Sequence, residues 1–166
     1  AAASLEVTAQ TPDFGEPILV LGVDFLGDLH FLPFNVTEGD TRAIEDPLAF
    51  VNDPSAILVS AHFAERHGLS KGSTLRLLTA GGPKEFHVRG VLADTGPAAS
   101  FGGQVAVMFI DAAEVSFARG TFVDRIDVAA DPGQDLVALK NRLQTTVGAG
   151  LTVEKPDSVG ARLREL

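Results

Sequence analysis

Four histidines are the first side chains to weigh for chemistry, because histidine binds metals and moves protons near neutral pH. His62 and His67 sit five residues apart on one short predicted helix. That spacing puts them about 140° apart around the axis, so they cannot share an ion. The i, i+4 pair with an intervening Glu that a metalloprotease helix carries is missing. Asp24, Asp28 and His30 form a sparse group that could hold a cation. A small metal-dependent hydrolase built on them is the enzyme reading; the expectation is a solvated loop rim and no metal. Asp124 and Asp127, three apart on a predicted strand, point to opposite faces and cannot work as a general acid and base. Arg125 and Asp127 share a face and are expected to form a surface ion pair. Ser60 precedes Ala61-His62 but has no Gly-x-Ser-x-Gly elbow around it. The glycine pairs at 81–82 and 102–103 complete no phosphate-binding pattern and read as turns. Asn35-Val-Thr37 matches a glycosylation triplet, which matters only in a eukaryotic secretory setting. No catalytic residue, cofactor or metal is expected.

One stretch remains as a candidate for contact. Residues 93–103 are small and, apart from Asp94, uncharged, and a connection of that length inside a compact domain often serves binding. Asp94, Gly96, Pro97, Ser100, Phe101 and Gly102 are the candidate partner-contact residues, with Phe101 as the bulky apolar anchor.

The elements that must position these residues follow from periodicity. Leu5–Thr11 and Pro17–Phe25 predict a hairpin turned by Pro12-Asp-Phe-Gly15. Asp46 should cap a short helix with Pro47 at its first position. Ala56–Val59 reads as a buried strand, and Ser60 as the cap of a helix over Ala61–His67 closed by Gly68. A second hairpin is predicted over 74–79 and 85–92, where Phe86, Val88 and Leu92 alternate with Glu85, His87 and Arg89. A strand over Gln104–Ile110 leads to a helix boxed by Asp111 and Glu114 and closed by Gly120. The end of the chain predicts a strand, a helix and a strand. Asp131 stands as cap, Pro132 at the first helical position and Gln134 at the third; Leu136, Leu139, Leu143 and Val147 make one stripe, and Leu151–Lys155 forms the last strand.

The whole chain then reads as α+β. A βαβ-containing subdomain is expected from both ends, residues 1–45 and 119–166, with a β-rich subdomain, 46–118, inserted between them.

Composition narrows the function further. The 166 residues carry 22 acidic and 13 basic side chains, a net charge of −9, with no basic cluster to displace counterions from phosphates. Nucleic-acid binding is excluded on that ground, and adsorption to anionic lipid is disfavoured. With no Cys, thiol catalysis, thiolate metal sites and disulfides drop out together; without Tyr or Trp, base- or sugar-stacking would fall to Phe and His. The apolar runs Ile18–Val23 and Val105–Ile110 are strand-sized, too short to cross a bilayer. Ala1-Ala-Ala-Ser4 has no signal-peptide character and reads as a truncated start.

Three segments carry a family likeness. Ile57-Leu-Val-Ser-Ala-His-Phe-Ala-Glu-Arg-His-Gly-Leu-Ser-Lys-Gly-Ser-Thr-Leu75, Phe86-His-Val-Arg-Gly-Val-Leu92 and Val107–Phe117 resemble segments of the extracytoplasmic domain of MacB/FtsX-type ABC transporter permeases. Glu114-Val115 departs from the usual Ala-Gln of the third. Val123-Asp-Arg-Ile-Asp-Val128 and Leu151-Thr-Val153 are similar to that domain's closing βαβ unit. The likeness runs over about residues 18–160 and includes the superfamily of the LolC and LolE lipoprotein-release subunits, although their interaction loop is not recognisable. The resemblance implies a porter-like subdomain from both ends and an inserted sabre-like one, matching the division above. It further implies a non-catalytic module outside the bacterial inner membrane, tethered by flanking transmembrane helices that lie outside this chain. There it would relay ATP-driven motion to a substrate or partner. Implied partners are an ABC ATPase acting through the full-length permease, a second permease copy, and a periplasmic protein or lipoprotein. A free-standing periplasmic interaction domain is the alternative.

Overall fold

The computed structural model describes residues 2–24, 44, 46–93 and 102–154. In chain order the elements are β1 (Ala2–Thr11), β2 (Glu16–Val23), α1 (Pro47–Asn52), β3 (Ala56–Ser60), α2 (Ala61–His67), β4 (Thr74–Thr79), β5 (Gly82–Leu92), β6 (Val105–Phe109), α3 (Ile110–Phe117), β7 (Arg125–Asp127) and α4 (Leu136–Val147), followed by a 3-10 turn at Gly148–Gly150. Residues up to Asp127 make one compact unit and those from Val128 onward a second.

The strands form one mixed sheet in the order β4-β5-β3-β6-β2-β1-β7, an α+β arrangement. β2 and β6 are parallel, as are β3 and β5, while β3 runs antiparallel to β6. Strands from the two ends of the first unit, β1 and β7, thus pair with each other, and β2 joins them through β6 to the strands between. Both hairpins form where turn chemistry places them. The first closes with Thr11 opposite Glu16 and Gly15 at φ +70°, a left-handed conformation that costs glycine least. The second starts its return strand earlier than expected, at Gly82, because Thr79 Oγ1 donates to the Gly82 carbonyl across a two-residue loop.

β3 sits between two neighbours, and both of its faces are covered. Ile57 and Val59 join Leu5, Val20, Phe63, Leu75, Phe86, Val88 and Met108 on one side, where α2 and α3 pack. Ala56 and Leu58 join Leu21, Phe50, Leu92 and Val107 on the other, with α1 supplying Phe50. A continuous apolar run is what a strand buried on both faces requires.

Asp46 caps α1 by accepting from the amides of Leu48 and Ala49. Ser60 caps α2 by accepting from Phe63 N, and Gly68 closes that helix at φ +64°. Two expected starts are displaced. α3 begins at Ile110, directly off β6, with Phe109 at its cap position and Asp111 inside its first turn. The cause is packing: Ala113 and Ile110 press on β2 at Gly22, where an added Cβ would meet Ala113 Cβ at 2.8 Å. The same helix ends at Ala118, φ +52°, before Gly120 is reached.

In the second unit α4 is capped by Asp135, which accepts from Val137 N and Ala138 N, and not by Asp131. Gly133 stands at φ +82°, which turns the chain where a helix would have begun. The Asp131/Gln134 box survives as a turn in front of the helix, with Gln134 Oε1 accepting from Asp131 N at 3.3 Å. Leu151–Glu154 forms no strand, a correction to the expected closing unit. Gln144 binds this segment instead, donating to the Leu151 carbonyl and accepting from Val153 N, at 2.8 and 2.9 Å.

Candidate functional site

Of the candidate contact residues, Asp94, Gly96, Pro97, Ser100 and Phe101 lie outside the described residues. Gly102 is described, exposed and at φ +71°. The two stems of the segment are set by the sheet. Leu92, fully buried, ends β5 opposite Ser60, and Val105 opens β6 on the other side of β3. Gly103 anchors the second stem: its carbonyl accepts from the buried Ser60 hydroxyl, and Leu19 N donates to the Gln104 carbonyl at 2.9 Å. At Gly103, φ +75°, any Cβ would come within 2.9 Å of the His62 ring. Ser60 therefore does two structural tasks, capping α2 and pinning the stem, with its hydroxyl proton given to the Gly103 carbonyl.

The remaining polar groups are held in pairs. His67 Nε2 lies 2.5 Å from Glu16 Oε1, while Arg66 reaches Glu16 Oε2 at 3.1 Å. The imidazole stacks on Phe14 with ring centres 4.0 Å apart, and Phe63 tilts against it at 4.6 Å. This arrangement holds the first hairpin's turn against α2. His62 is exposed and takes no part in it.

Asp53, at the C-terminal end of α1, accepts from Arg89 Nη2 at 2.6 Å and from Ser55 N at 2.9 Å, with His87 Nδ1 at 3.5 Å. Burial works to raise its carboxyl. The hydrogen bonds from Arg89, Ser55 and His87, with the Arg89 charge, outweigh burial and hold it below the usual aspartate range. An ionised, fully engaged carboxylate suits a tie between α1 and β5 better than a proton carrier.

Arg125 and Asp127 pair at 3.0 Å on one face, as their spacing predicts, and Arg125 also reaches Glu6 at 3.3 Å. Asp124 pairs with Arg119 at 2.6 Å and accepts from Glu6 N at 2.8 Å. The two contacts to Glu6 fasten this segment to β1, and the other two brace residues 119–127 among themselves. Asp28 and His30 of the weighed cation group lie outside the described residues. Among the described residues no three His, Asp or Glu side chains gather in a way that could hold an ion. No helix there is long and apolar enough to cross a membrane.

Sequence reasoning missed the Glu16–His67, Asp53–Arg89 and Arg119–Asp124 pairs. The first joins residues 51 apart and the second residues 36 apart. No local periodicity signals either one.

The model of the MacB-like periplasmic core domain matches residues 1–146. No protein of curated function matches the chain. Among solved structures, the periplasmic region of MacB from Actinobacillus actinomycetemcomitans superposes with a TM-score of 0.54 at 10% identity, over 99% of this chain and 74% of that one. A domain of a putative permease from Porphyromonas gingivalis gives 0.50 at 17%, over 88% and 63%. The extracellular domain of the ABC-type transporter YknZ from Gram-positive bacteria gives 0.48 at 20%, over 70% and 57%. At these identities the likeness is one of fold. The chain spans about three fifths of the length of the latter two.

Proposed function

The chain belongs to the MacB-like periplasmic core domain family, and from that premise we propose that it is the extracytoplasmic lever of an ABC transporter permease. It couples ATP-driven motion across the membrane to the handling of a substrate or partner outside it, without chemistry of its own. The observation that carries this reading is the state of the polar side chains. Ser60, Glu16, His67, Asp53, Arg89, Asp124 and Arg125 are groups with catalytic potential, and each is engaged in a bond that ties one part of the chain to another. A hydrogen-bonded sheet with its helices tied down in this manner transmits force as a body.

In this reading the membrane helices that tether the domain, and the ATPase, belong to the full-length permease. Partner contact falls to Asp94, Gly96, Pro97, Ser100, Phe101 and Gly102, carried between the two stems described above. A periplasmic protein or lipoprotein is the class of partner such a segment would meet.

The test uses the full-length permease with its ATPase in membrane vesicles. Replacing residues 94–101 by a Gly-Ser link of equal length, with Gly102 and Gly103 kept, should leave ATP hydrolysis and the melting temperature near wild type while transport or partner capture is lost. Unchanged transport would remove the contact role from this segment. Turnover of a small substrate by the purified chain alone would overturn the non-catalytic reading.

A further inference from the structure

β7 ends the sheet. One of its edges pairs with Ala2–Ser4 of β1, and no described strand pairs with the other. An open strand edge is a template for another strand, and soluble proteins blunt such edges with charges, prolines or bulges. Here the centre of the strand is Ile126, 56% exposed, and Phe122 just before it is 76% exposed. The flanking charges are arranged in a particular way. Arg125-Ile126-Asp127 is a palindrome in charge, positive on one side of the isoleucine and negative on the other.

We propose that β7 is a two-fold pairing edge, which joins this chain to a second copy through an antiparallel ladder centred on Ile126. In that register Ile126 faces the second copy's Ile126, and Arg125 faces its Asp127 in both directions. Apolar and opposite-charge cross-strand neighbours are the pairs that stabilise antiparallel strands. A two-fold interface demands a surface complementary to itself, which the palindrome supplies. Register is also specified. A shift of two residues in one sense brings Arg125 opposite Arg125, and in the other Asp127 opposite Asp127. A shift of one sets the isoleucine against a charge. The two charges already lie on one face, 3.0 Å apart and both solvent-accessible, so exchange from an in-strand to a cross-strand partner leaves neither without a counter-charge. The pairing gives the second permease copy of the functional reading a defined surface. Because its test reads association of this chain alone, its failure leaves the transport test untouched.

Mass is measured by sedimentation over rising concentration, with amide hydrogen exchange read at 125–127. The wild-type mass should climb from 17.4 kDa towards twice that value, and exchange at β7 should slow as it does. Arg125→Asp and Asp127→Arg each place like charges opposite one another, and each should stay monomeric. An equimolar mixture of the two restores both opposite-charge pairs and should regain the doubled mass, with circular dichroism confirming that each variant is folded. A wild-type chain that stays monomeric up to about 1 mM, beyond the reach of a specific contact, overturns the proposal whatever the variants do. So does association of either single variant at wild-type strength, or a mixture of folded variants that stays monomeric.

Discussion

In β3, Ala56, Ile57, Leu58 and Val59 are all at most 2% exposed, and each faces a packed layer. In α4 an equally regular apolar stripe, Leu136, Leu139, Leu143 and Val147, has no buried member, and Leu136 is 49% exposed. Both segments obey the periodicity of their element. The contrast shows that a pattern of apolar residues sets which face a segment turns inward, while burial depends on neighbours from elsewhere in the chain. The first unit supplies those neighbours to β3 from β5, β6, α1 and α2. Stability should therefore be concentrated in the first unit, which ends at Asp127, and thin out along 128–154.

The sharpest way to break that contrast is to truncate one large side chain in each region. Phe63 is fully buried and edge-on to Phe14 at 6.0 Å, so Phe63→Ala should cost about 3–5 kcal/mol by denaturant unfolding. Leu139→Ala, on the half-buried side of α4, should cost under about 1 kcal/mol. Equal losses at the two sites would mean that the α4 stripe is covered in solution, and the comparison would fail.

Much of the first unit was readable because its signals are local. Asp46, Ser60 and Gly68 bracket their helices at the positions their types demand. The alternation on β5 is matched residue for residue, with Phe86, Val88 and Leu92 inward and Glu85, His87 and Arg89 outward. Where a local signal had a competitor the reading slipped. Asp131 and Asp135 both precede an apolar stripe, and the left-handed Gly133 decides between them. Leu151 is extended, at φ −131° and ψ 148°, as its sequence suggests, but Gln144 takes up its carbonyl and the Val153 amide. The candidate site was legible only as a segment. Its anchor, Gly103 on Ser60, spans 43 residues. Pairing at that separation depends on the sheet order, which periodicity does not contain.

A smaller effect sharpens the first unit from its polar side. The Asp53 carboxyl is held below the ordinary aspartate value near 3.9. A lowered folded-state value means the unfolded chain takes up a proton first as pH falls. The contribution is whole above the unfolded value and is lost as pH drops through it towards the folded one. Asp53→Asn should therefore lower stability at pH 7 by about 1–2 kcal/mol. The gap to wild type should narrow in strong acid. A gap independent of pH would show that α1 is held by apolar contact, through Phe50, and not by the carboxylate.

The smallest effect separates the two rival caps of the second unit. Asp135 accepts from two amides of the first turn of α4, at 2.8 and 3.3 Å. Removing it exposes helix N–H groups that nothing else satisfies, so Asp135→Ala should cost about 1 kcal/mol of local helix stability. Asp131 takes part in the turn through its backbone, donating from N–H and accepting at C=O, and neither bond uses its carboxylate. Asp131→Ala should accordingly leave helix content unchanged. Because α4 has no buried face to resist fraying, the loss at Asp135 should appear as faster amide exchange over residues 136–140 with no change in the unfolding midpoint of the first unit. A shared midpoint shift would instead mean that the two units unfold together, and the thin end of the molecule would no longer be thin.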